Sequence, residues 1–355
     1  MSADDGRTAA TGGTVPDGID RAGVEAWFAA NVPGAEPPLA FERIAGGRSN
    51  LTYRVTDASG RGWALRRPPL GERLASAHDM SREHTVIAAL GPTPVPVAPV
   101  VGFCDDEETT GAPFYVMDFV DGPVLRSRAD AEAFDEPARR AIGGRVAATL
   151  ATIHAVDPGA VGLGDLGRTE GYVGRQLRRW HGQWERSRQR PLDLIDEVHA
   201  RLEARIPDQG PATIVHGDYR LDNMILSPAG EVAAVVDWEL CTLGDPLADV
   251  GLLMVYWTQP GDDLAALGEP PTLAPGFPTR AEVAAAYSER SGRDLSDLDY
   301  YVALGYWKLA IILEGVHARY AAGQYGAEAD DAVAGLAAVV ERLAEAAAEA
   351  APAGG

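Results

Sequence analysis

The sequence has 355 residues, 46% of them hydrophobic, and a formal net charge of −21 at pH 7. This length and composition allow a sizeable core and exclude disorder throughout, and the acidic balance argues against nucleic acid and anionic membrane surfaces as partners. No apolar run reaches about 18 residues and the start is polar and glycine-rich, so we expect no membrane span, no signal peptide and a cytoplasmic location. The two cysteines, Cys104 and Cys241, are too few for a disulfide framework and lack metal-ligand spacing, which predicts reduced thiols.

The first third of the chain has the pattern of a small β-rich half. Residues 1–18 are polar and glycine-rich, which predicts a disordered leader. From Leu39 to Pro69, apolar and polar residues alternate on either side of glycine-rich turns, and this pattern predicts three strands. A helix is predicted to end at Gly91, and the residues PFYVMDFV at 113–120 are predicted to form a further strand.

Beyond a predicted hinge near Val120–Gly122, the hydrophobic periodicity becomes helical. Long helices are predicted within residues 137–156, 171–190, 192–206, 300–323 and 332–350. The chain is therefore predicted to divide into a smaller half at residues 19–120 and a larger helical half at residues 121–346, followed by a flexible tail at residues 347–355.

Residues 213–251 concentrate carboxylates beside short apolar strands. The strand-like runs TIV, MIL and VAAVV are separated by HGDYRLDN and the turn SPAG, and the last run leads into DWE. An H-x-D-x-x-x-x-N spacing, followed by an aspartate at the end of the next strand, matches the kinase signature. Phosphoryl transfer needs one carboxylate for the hydroxyl proton and an asparagine with a second aspartate for Mg²⁺. The pattern assigns catalytic roles to His216 and Asp218, with Asp218 as the base, and metal binding to Asn223 and Asp237, while ordinary turn and cap residues are the alternative.

The segments HGDYRLDN, VVDWE and GDPLADVG resemble the phosphotransferase family of aminoglycoside and choline kinases, which shares the protein-kinase-like fold. AGGRSNLTYRV, PFYVMDFVDG and YWKLAIILEG are most similar to the branch found fused to, or working beside, acyl-CoA dehydrogenases. The resemblance implies an α+β, two-lobed fold with a small nucleotide-binding N-lobe at 19–120 and a larger C-lobe at 121–346, which carries a catalytic hairpin and binds the acceptor. It also implies ATP and Mg²⁺ as cofactors, a hydroxyacyl-CoA as acceptor and an acyl-CoA dehydrogenase as functional partner.

The resemblance further implies positions for nucleotide binding. Arg66 occupies the place of the lysine that pairs with the α- and β-phosphates, and the helix acid Glu83 would hold it. A glycine-rich turn would approach the phosphates, and the strand before the hinge would meet adenine through its backbone. These positions are Gly46, Gly47, Ser49 and Asn50 in the turn, and Met117, Asp118, Phe119 and Val120 in the strand. Because arginine replaces lysine, a nucleotide-binding pseudokinase that serves as an interaction module is an alternative.

Two departures from the protein-kinase pattern follow Asp237. Trp238 and Glu239 stand where protein kinases have phenylalanine and glycine, which predicts that no activation-loop switching occurs. Asp245 and Asp249 are predicted to cap a helix and to brace the catalytic loop.

Helix positions bear on the acceptor. A helix over residues 171–190 would bring Arg175, Arg179, Arg186 and Arg190 onto one face, opposite an apolar stripe of Val173, Leu177, Trp180 and Trp184. Given the resemblance, Arg175 and Arg179 are predicted to bind the phosphates and pantetheine arm of coenzyme A, with a solvated, ion-paired face as the alternative. Trp307 and Lys308 are predicted to line the acceptor pocket, with core packing and snorkelling as the alternative. An antibiotic or amino-alcohol kinase of the same fold is the competing function.

Overall fold

The computed structural model describes residues 15–44, 50–70, 79–262, 269–321 and 330–352. Internal contacts divide the chain into two compact units. The first comprises the residues up to Pro92 together with Val97–Asp121, and the second comprises Thr93–Pro96 and the residues from Gly122 onward. Among the helices of the described ranges, none combines the length and the hydropathy that a bilayer span requires.

An antiparallel sheet of five strands forms the centre of the first unit, within the ranges that are described. Its elements in chain order are α1 (Arg21–Asn31), β1 (Ala40–Arg43), β2 (Leu51–Thr56), β3 (Gly62–Arg67), α2 (Met80–Leu90), β4 (Val100–Cys104) and β5 (Phe114–Asp118). The strands lie in the order β1-β2-β3-β5-β4. Along β2, buried and half-buried residues alternate, because successive side chains point to opposite faces of a sheet. Phe28, Trp63 and Phe114 belong to the core of this unit.

The strands and the helix predicted for the smaller half are confirmed, but two elements were not foreseen. β4 follows a proline-rich segment, where proline argues against a strand, and α1 was not predicted at all. Asp17 and Gly18, which were predicted to belong to a disordered leader, are held by hydrogen bonds to the sheet. The Tyr53 hydroxyl donates a hydrogen bond to the Asp17 carbonyl at 2.5 Å, and Arg67 donates one to the Gly18 carbonyl. Residues 1–14 lie outside the described ranges.

Helices dominate the second unit. Its elements are α3 (Arg128–Ala131), α4 (Glu136–Ala155), α5 (Tyr172–Ser187), α6 (Asp193–Glu203), β6 (Thr213–Val215), β7 (Met224–Leu226), β8 (Val232–Val235), β9 (Thr242–Gly244), α7 (Leu247–Tyr256), α8 (Arg280–Ser291), α9 (Leu298–Ala321) and α10 (Asp330–Ala350). The pairs β7–β8 and β6–β9 are both antiparallel. The five long helices predicted from periodicity are present. α8 was not predicted, and α7 was foreseen only as the helix next to Asp245 and Asp249.

The core of the second unit lies where α5, α6, α9 and α10 meet, and it confirms the apolar face predicted for α5. The buried residues of that face are Val173, Leu177, Trp180 and Trp184. The predicted flexible tail at 347–355 differs from the structure, because α10 continues to Ala350 and the small side chains of Ala347 and Ala351 are buried against this core. Arg201 donates hydrogen bonds to the carbonyls of Ala351 and Pro352 at 2.6 and 3.0 Å, which fixes the end of the helix.

Candidate active site

The carboxylate-rich segment forms a small β-structure in the second unit. The chain leaves β6 at Val215 and reaches β7 through residues 216–223, here called the 216–223 loop, which ends in a 3-10 turn at Leu221–Asn223. β8 ends at Val235, opposite Met224, and the Val236 N–H donates to the Asn223 carbonyl at 2.9 Å. Asn223 and Asp237 therefore lie at the same end of the β7–β8 hairpin.

His216 holds the loop from the inside. Its side chain is fully buried, and its ring centroid lies 4.6 Å from that of Trp238. Nδ1 accepts a hydrogen bond from the Asp218 N–H at 3.2 Å, so the other nitrogen carries the proton and Nε2–H donates to the Val236 carbonyl at 3.1 Å. Because both ring nitrogens are occupied within the protein, the geometry favours a positioning role for His216 over a role in proton transfer.

The Asp218 carboxylate is partly accessible and oriented by its neighbours. Its side chain is 24% exposed, and Asn223 Nδ2 donates to both its carbonyl and its Oδ2, at 2.9 and 3.0 Å. Arg220, which was not predicted, places Nε 3.6 Å from Asp218 Oδ2 and Nη2 2.5 Å from Asp222 Oδ2. The Arg220 guanidinium also lies over the Tyr256 ring, 4.7 Å from its centroid. Asp218 thus combines a fixed orientation with access from outside.

Asp249 grips the backbone of the loop. The carboxylate is fully buried on α7 and accepts hydrogen bonds from the N–H groups of His216 and Gly217 at 2.7 and 2.8 Å. It also faces His154 Nε2 at 3.3 Å, and His154 Nδ1 lies 2.7 Å from the Tyr287 hydroxyl. Burial alone would raise the pKa of Asp249, but the hydrogen bond and charge of His154, with smaller contributions from His216 and the Gly217 N–H, hold the pKa below its ordinary value. The brace predicted for the loop is therefore confirmed for Asp249. Asp245 instead accepts from the Leu247 N–H at 3.0 Å and from the Tyr301 hydroxyl at 2.8 Å, and no side-chain cap from the described part of the chain is found at the start of α7.

The backbone conformation that allows these hydrogen bonds requires glycine at position 217. Its φ is +85°, a conformation that L side chains rarely adopt, and an added Cβ would lie 2.9 Å from both the Cβ and the carbonyl oxygen of Leu240. The residue donates its N–H to Asp249 and accepts at its carbonyl from Lys308 Nζ at 3.2 Å. The backbone N–H and the backbone carbonyl of Gly217 are therefore both fixed by side chains from distant helices, directly before Asp218.

The oxygen donors at the end of the hairpin suit a hard cation. The Asn223 amide turns Nδ2 toward Asp218, which leaves Oδ1 as its oxygen donor. Asp237 has φ +69°, a left-handed conformation that aspartate tolerates better than most residues. Mg²⁺ prefers such oxygens and is commonly completed by phosphates and water. The Asn223 amide oxygen and the Asp237 carboxylate are ligands of this kind. In the described ranges, no group of three or more His, Cys, Asp or Glu side chains is placed to hold a metal.

In the first unit, Arg66 and Glu83 form an ion pair. Arg66 Nε on β3 lies 3.0 Å from Glu83 Oε2 on α2, and the two side chains are 12% and 1% exposed. The next residue points elsewhere, because neighbouring side chains alternate along a strand. Arg67 is buried and donates to the carbonyls of Gly18 and Thr110, the latter at 2.7 Å. Arg66 is thus the arginine held by the helix acid, and Arg67 has a structural role.

The remaining positions predicted for the nucleotide are only partly described. Gly46, Gly47 and Ser49 lie outside the described residues, and Asn50 is buried at the start of β2. The structure places Met117 in the sheet, 8% exposed, so its side chain packs as core.

The hydrogen bonds of the backbone beyond β5 show which N–H groups remain available to an adenine ring. The Asp118 N–H donates to the Pro99 carbonyl at 2.8 Å, and the Phe119 N–H donates to the Gly62 carbonyl at 3.2 Å. Both donors are used inside the first unit. The Val120 N–H makes no hydrogen bond with any residue that the structure describes, and it is the donor of this segment that is left for a ligand.

The residues predicted for the acceptor separate into different environments. Trp307 is fully buried, and its Nε1–H donates to the Ile195 carbonyl at 2.9 Å, so it is a core residue rather than part of a pocket. Arg175 Nη2 donates to the Arg168 carbonyl at 2.5 Å, and the Arg179 guanidinium lies 5.3 Å from the centroid of the Trp180 ring.

The predicted arginine stripe is wrong at its far end. α5 ends at Ser187, and Arg188 is extended with φ −59° and ψ 127°. Arg190 precedes a proline, a position that disfavours helix, and its guanidinium contacts Glu314 and Glu341 instead of continuing the face.

Comparisons with known proteins address the family and the fold. A sequence model of the phosphotransferase enzyme family matches residues 40–301. The mouse (Mus musculus) protein acyl-CoA dehydrogenase family member 10 is 34% identical over 292 residues, which cover 81% of this chain and 27% of that protein. Mouse acyl-CoA dehydrogenase family member 11 is 32% identical over 319 residues, which cover 87% of this chain and 41% of that protein. The chain thus spans less than half of the length of these curated relatives.

Solved structures agree with this result. A protein from Ralstonia eutropha, provisionally named an aminoglycoside phosphotransferase, superposes with a TM-score of 0.78 at 33% identity, covering 93% of this chain and 99% of that one. An aminoglycoside phosphotransferase solved with AMP-PNP and hygromycin B has a TM-score of 0.59 at 14% identity, covers 92% of this chain and 98% of that one, and supports the fold alone. The chain therefore belongs to the phosphotransferase enzyme family, has the two-lobed protein-kinase-like fold and is a small-molecule kinase.

Proposed function

We propose that this kinase transfers a phosphoryl group from Mg-ATP to a hydroxyl group of a hydroxyacyl-CoA. The observation that carries the reaction is the arrangement around Asp218, a partly exposed carboxylate that Asn223 orients through two hydrogen bonds. Support for the acceptor comes from the names of the two mouse relatives, which refer to whole proteins more than twice as long as the matched region. An acyl-CoA dehydrogenase as functional partner and a cytoplasmic location belong to the same proposal.

The chemistry assigned to Asp218 is that of a positioned base. Its carboxylate accepts a hydrogen bond from the acceptor hydroxyl and takes the proton as the hydroxyl oxygen forms a bond to the γ-phosphorus. The bond from that phosphorus to the bridging oxygen breaks, and ADP leaves with the electron pair. The Arg220 guanidinium, whose Nε lies 3.6 Å from Asp218 Oδ2, places a positive charge beside this carboxylate and helps to orient it.

Other side chains would bind the nucleotide. Asn223 Oδ1 and the Asp237 carboxylate would hold the metal, which would neutralise charge on the transferred phosphoryl group. Arg66, fixed by Glu83, would pair with phosphate oxygens in place of the usual lysine, because a guanidinium offers two parallel donors to a phosphate. The Val120 N–H would meet the adenine ring. Gly46, Gly47, Ser49 and Asn50 would lie along the phosphates.

An amino-alcohol or aminoglycoside acceptor is the second candidate, because the solved structure at 33% identity carries an aminoglycoside phosphotransferase name. Such acceptors are cations. Arg175 and Arg179 on α5 would repel them, whereas the same arginines would attract the phosphates of coenzyme A. Charge therefore separates the two candidates.

A turnover screen tests the proposal. Purified protein with Mg-ATP is supplied with 3- and 4-hydroxybutanoyl-CoA, kanamycin, hygromycin B, choline and ethanolamine, and ADP release and phosphorylated product are both measured. We expect turnover of a hydroxyacyl-CoA, lowered by about 10²- to 10⁴-fold in the Asp218→Asn variant. Phosphorylation of an antibiotic or amino alcohol, without any acyl-CoA product, would replace the first candidate with the second.

The coenzyme A end of the acceptor is tested separately. Replacing Arg175 and Arg179 together by alanine should raise the KM for the thioester and leave the KM for ATP unchanged, because the two arginines would contact only the remote end of the acceptor. An unchanged thioester KM would remove these arginines from the site.

A further inference from the structure

Lys308 is unusual because lysine is so rare in this sequence. The chain has 31 basic residues, and Lys308 is its single lysine, so even the phosphate-pairing position is occupied by arginine at Arg66. Lysine differs from arginine in offering a compact ammonium with three donors that suit a single oxygen, whereas a guanidinium is a broad planar fork. The use of lysine at position 308 therefore suggests that this site requires a compact ammonium rather than a guanidinium.

The position of Lys308 is beside the proposed base. It lies on α9, half-buried, and Nζ donates to the carbonyl of Gly217 at 3.2 Å, one residue before Asp218. Nζ also lies 5.4 Å from the centroid of the Trp180 ring. A pocket opens at this point between α5, α7 and α9, and its walls include Tyr172, Gln176, Trp180, Leu252, Leu304 and Lys308. The pocket is small and mainly apolar, and its charged groups are the Lys308 ammonium and the buried Asp249 carboxylate, both near the catalytic loop.

The charge of Lys308 is incompletely compensated. No carboxylate in the described part of the chain lies within 4.0 Å of Nζ, and Gly217 supplies the one hydrogen-bond acceptor found there. Burial lowers the pKa of Lys308, the more distant carboxylates of Asp218 and Asp249 act in the opposite direction, and Arg179 adds to the lowering. A partly desolvated cation is costly without a partner, and in a pocket a ligand can supply that partner.

We propose that Lys308 binds a carbonyl-type oxygen of the acceptor, from a thioester or from a carboxylate, and that the adjoining carbon chain packs against Trp180, Leu252 and Leu304. This inference rests on the proposed function and names the group by which the acceptor is recognised. Because the ammonium is anchored on Gly217, an oxygen bound to Lys308 is held at a fixed place relative to Asp218. A polycationic acceptor would instead bring like charges together in the pocket.

A matched pair of ligands separates recognition from structural support. The pair is 4-hydroxybutanoyl-CoA and its thioether analogue, 4-hydroxybutyl-CoA, in which a methylene replaces the carbonyl. Lys308→Met keeps the apolar stem beside Trp180 and removes the charge. Binding of each ligand to wild type and variant is measured by calorimetry without nucleotide, and free 4-hydroxybutanoate forms a third arm. Mg-ATP binding to the variant reports whether it is folded.

We expect Lys308→Met to weaken thioester binding by roughly 10- to 150-fold, the range of a charge-assisted hydrogen bond, and to leave thioether binding within about twofold. Equal losses for both ligands would show that Lys308 only supports the loop and would overturn the inference. Lys308-dependent binding of free 4-hydroxybutanoate, with no binding of either coenzyme A compound, would retain the inference and refute the hydroxyacyl-CoA proposal. A wild-type protein that binds neither oxygen-bearing ligand would overturn both.

Discussion

Replacing Asp249 by asparagine tests how the 216–223 loop is held. The carboxylate accepts hydrogen bonds from the N–H groups of His216 and Gly217, at 2.7 and 2.8 Å, and faces His154 Nε2 at 3.3 Å. Asparagine has the same shape but only one acceptor oxygen. In either orientation of the amide, its NH₂ group faces at least one buried N–H donor.

The expected cost follows from these contacts. Loss of a charge-assisted hydrogen bond costs about 1.5–3 kcal/mol, and a buried donor left without an acceptor costs about 1–3 kcal/mol more. We therefore expect the free energy of unfolding to fall by about 3–5 kcal/mol, in line with the loss of one partner from a buried charged network. Turnover should fall as well, because Gly217 directly precedes Asp218.

Urea denaturation and steady-state kinetics measure the two effects. Asp294→Asn is a matched control, since Asp294 is exposed and accepts from the N–H of Ser296 at 3.0 Å and from its hydroxyl at 2.8 Å. Asparagine can keep the first contact through Oδ1 and donate from Nδ2 to the hydroxyl oxygen, and neither group is buried. We expect that control to change the stability by less than about 0.5 kcal/mol. If Asp249→Asn lost no more stability than the control, or lost stability with unchanged turnover, the proposed support of the loop would be wrong.

The dependence of stability on pH provides an independent test of the hydrogen bonds made by Asp249. The pKa of Asp249 in the folded protein lies below its ordinary value of 3.8, so its ionised form contributes stability above that value. This contribution is lost as the pH falls through the folded pKa. The stability difference between wild type and Asp249→Asn should therefore be largest near neutral pH and shrink below a pH of about 3.8. A difference that stays constant well below a pH of about 3.8 would contradict the assignment.

Three further predictions concern the nucleotide and the acceptor. Arg66→Ala should raise the KM for ATP by roughly 10-fold or more, because one charge-assisted phosphate contact is lost, and unchanged ATP kinetics would exclude the role. Asp237→Asn should weaken Mg-ATP binding in a calorimetric titration. Asp218→Asn should keep the Mg-ATP affinity near wild type and lower kcat by about 10²- to 10⁴-fold. A wild-type protein that binds Mg-ATP but phosphorylates no hydroxyl would instead indicate a pseudokinase. Because the pKa of Lys308 is lowered from its ordinary value of 10.5, the ammonium loses its proton at a lower pH than an exposed lysine, and the KM for the acceptor should rise as the pH increases through that range. Lys308→Arg stays charged and should show no such rise when the KM is measured as a function of pH.

Much of the β-structure and the spacing of the candidate site could be predicted because those signals are local. Asp218, Asn223 and Asp237 occupy fixed offsets around a hairpin, and alternation or helical periodicity within short windows defined most strands and long helices. The errors also have local causes. Proline-rich sequence concealed β4, and an arginine stripe counted at a constant 100° per residue ran past the end of α5 at Ser187.

The contacts that fix the loop could not be predicted in detail, because they join residues far apart in the chain. His154 and Asp249 are 95 positions apart, and Gly217 and Lys308 are 91 positions apart. A buried pair of this kind leaves no periodic pattern in the sequence. For Lys308 the sequence does contain a signal, since a single lysine among 31 basic residues is unusual, but composition alone does not place it in a pocket.

The support of Asp218 comes chiefly from peptide groups rather than from its own side-chain contacts. Asp249 on α7 fixes the N–H of Gly217, Lys308 on α9 fixes the carbonyl of the same residue, and Asn223 fixes the carbonyl of Asp218. A displacement of α7 or α9 would therefore move the peptide that carries Asp218. Since the same two helices line the proposed acceptor pocket, an acceptor that fills this pocket poorly would also misplace the proposed base. Selectivity among acceptors should consequently be expressed in kcat as well as in KM.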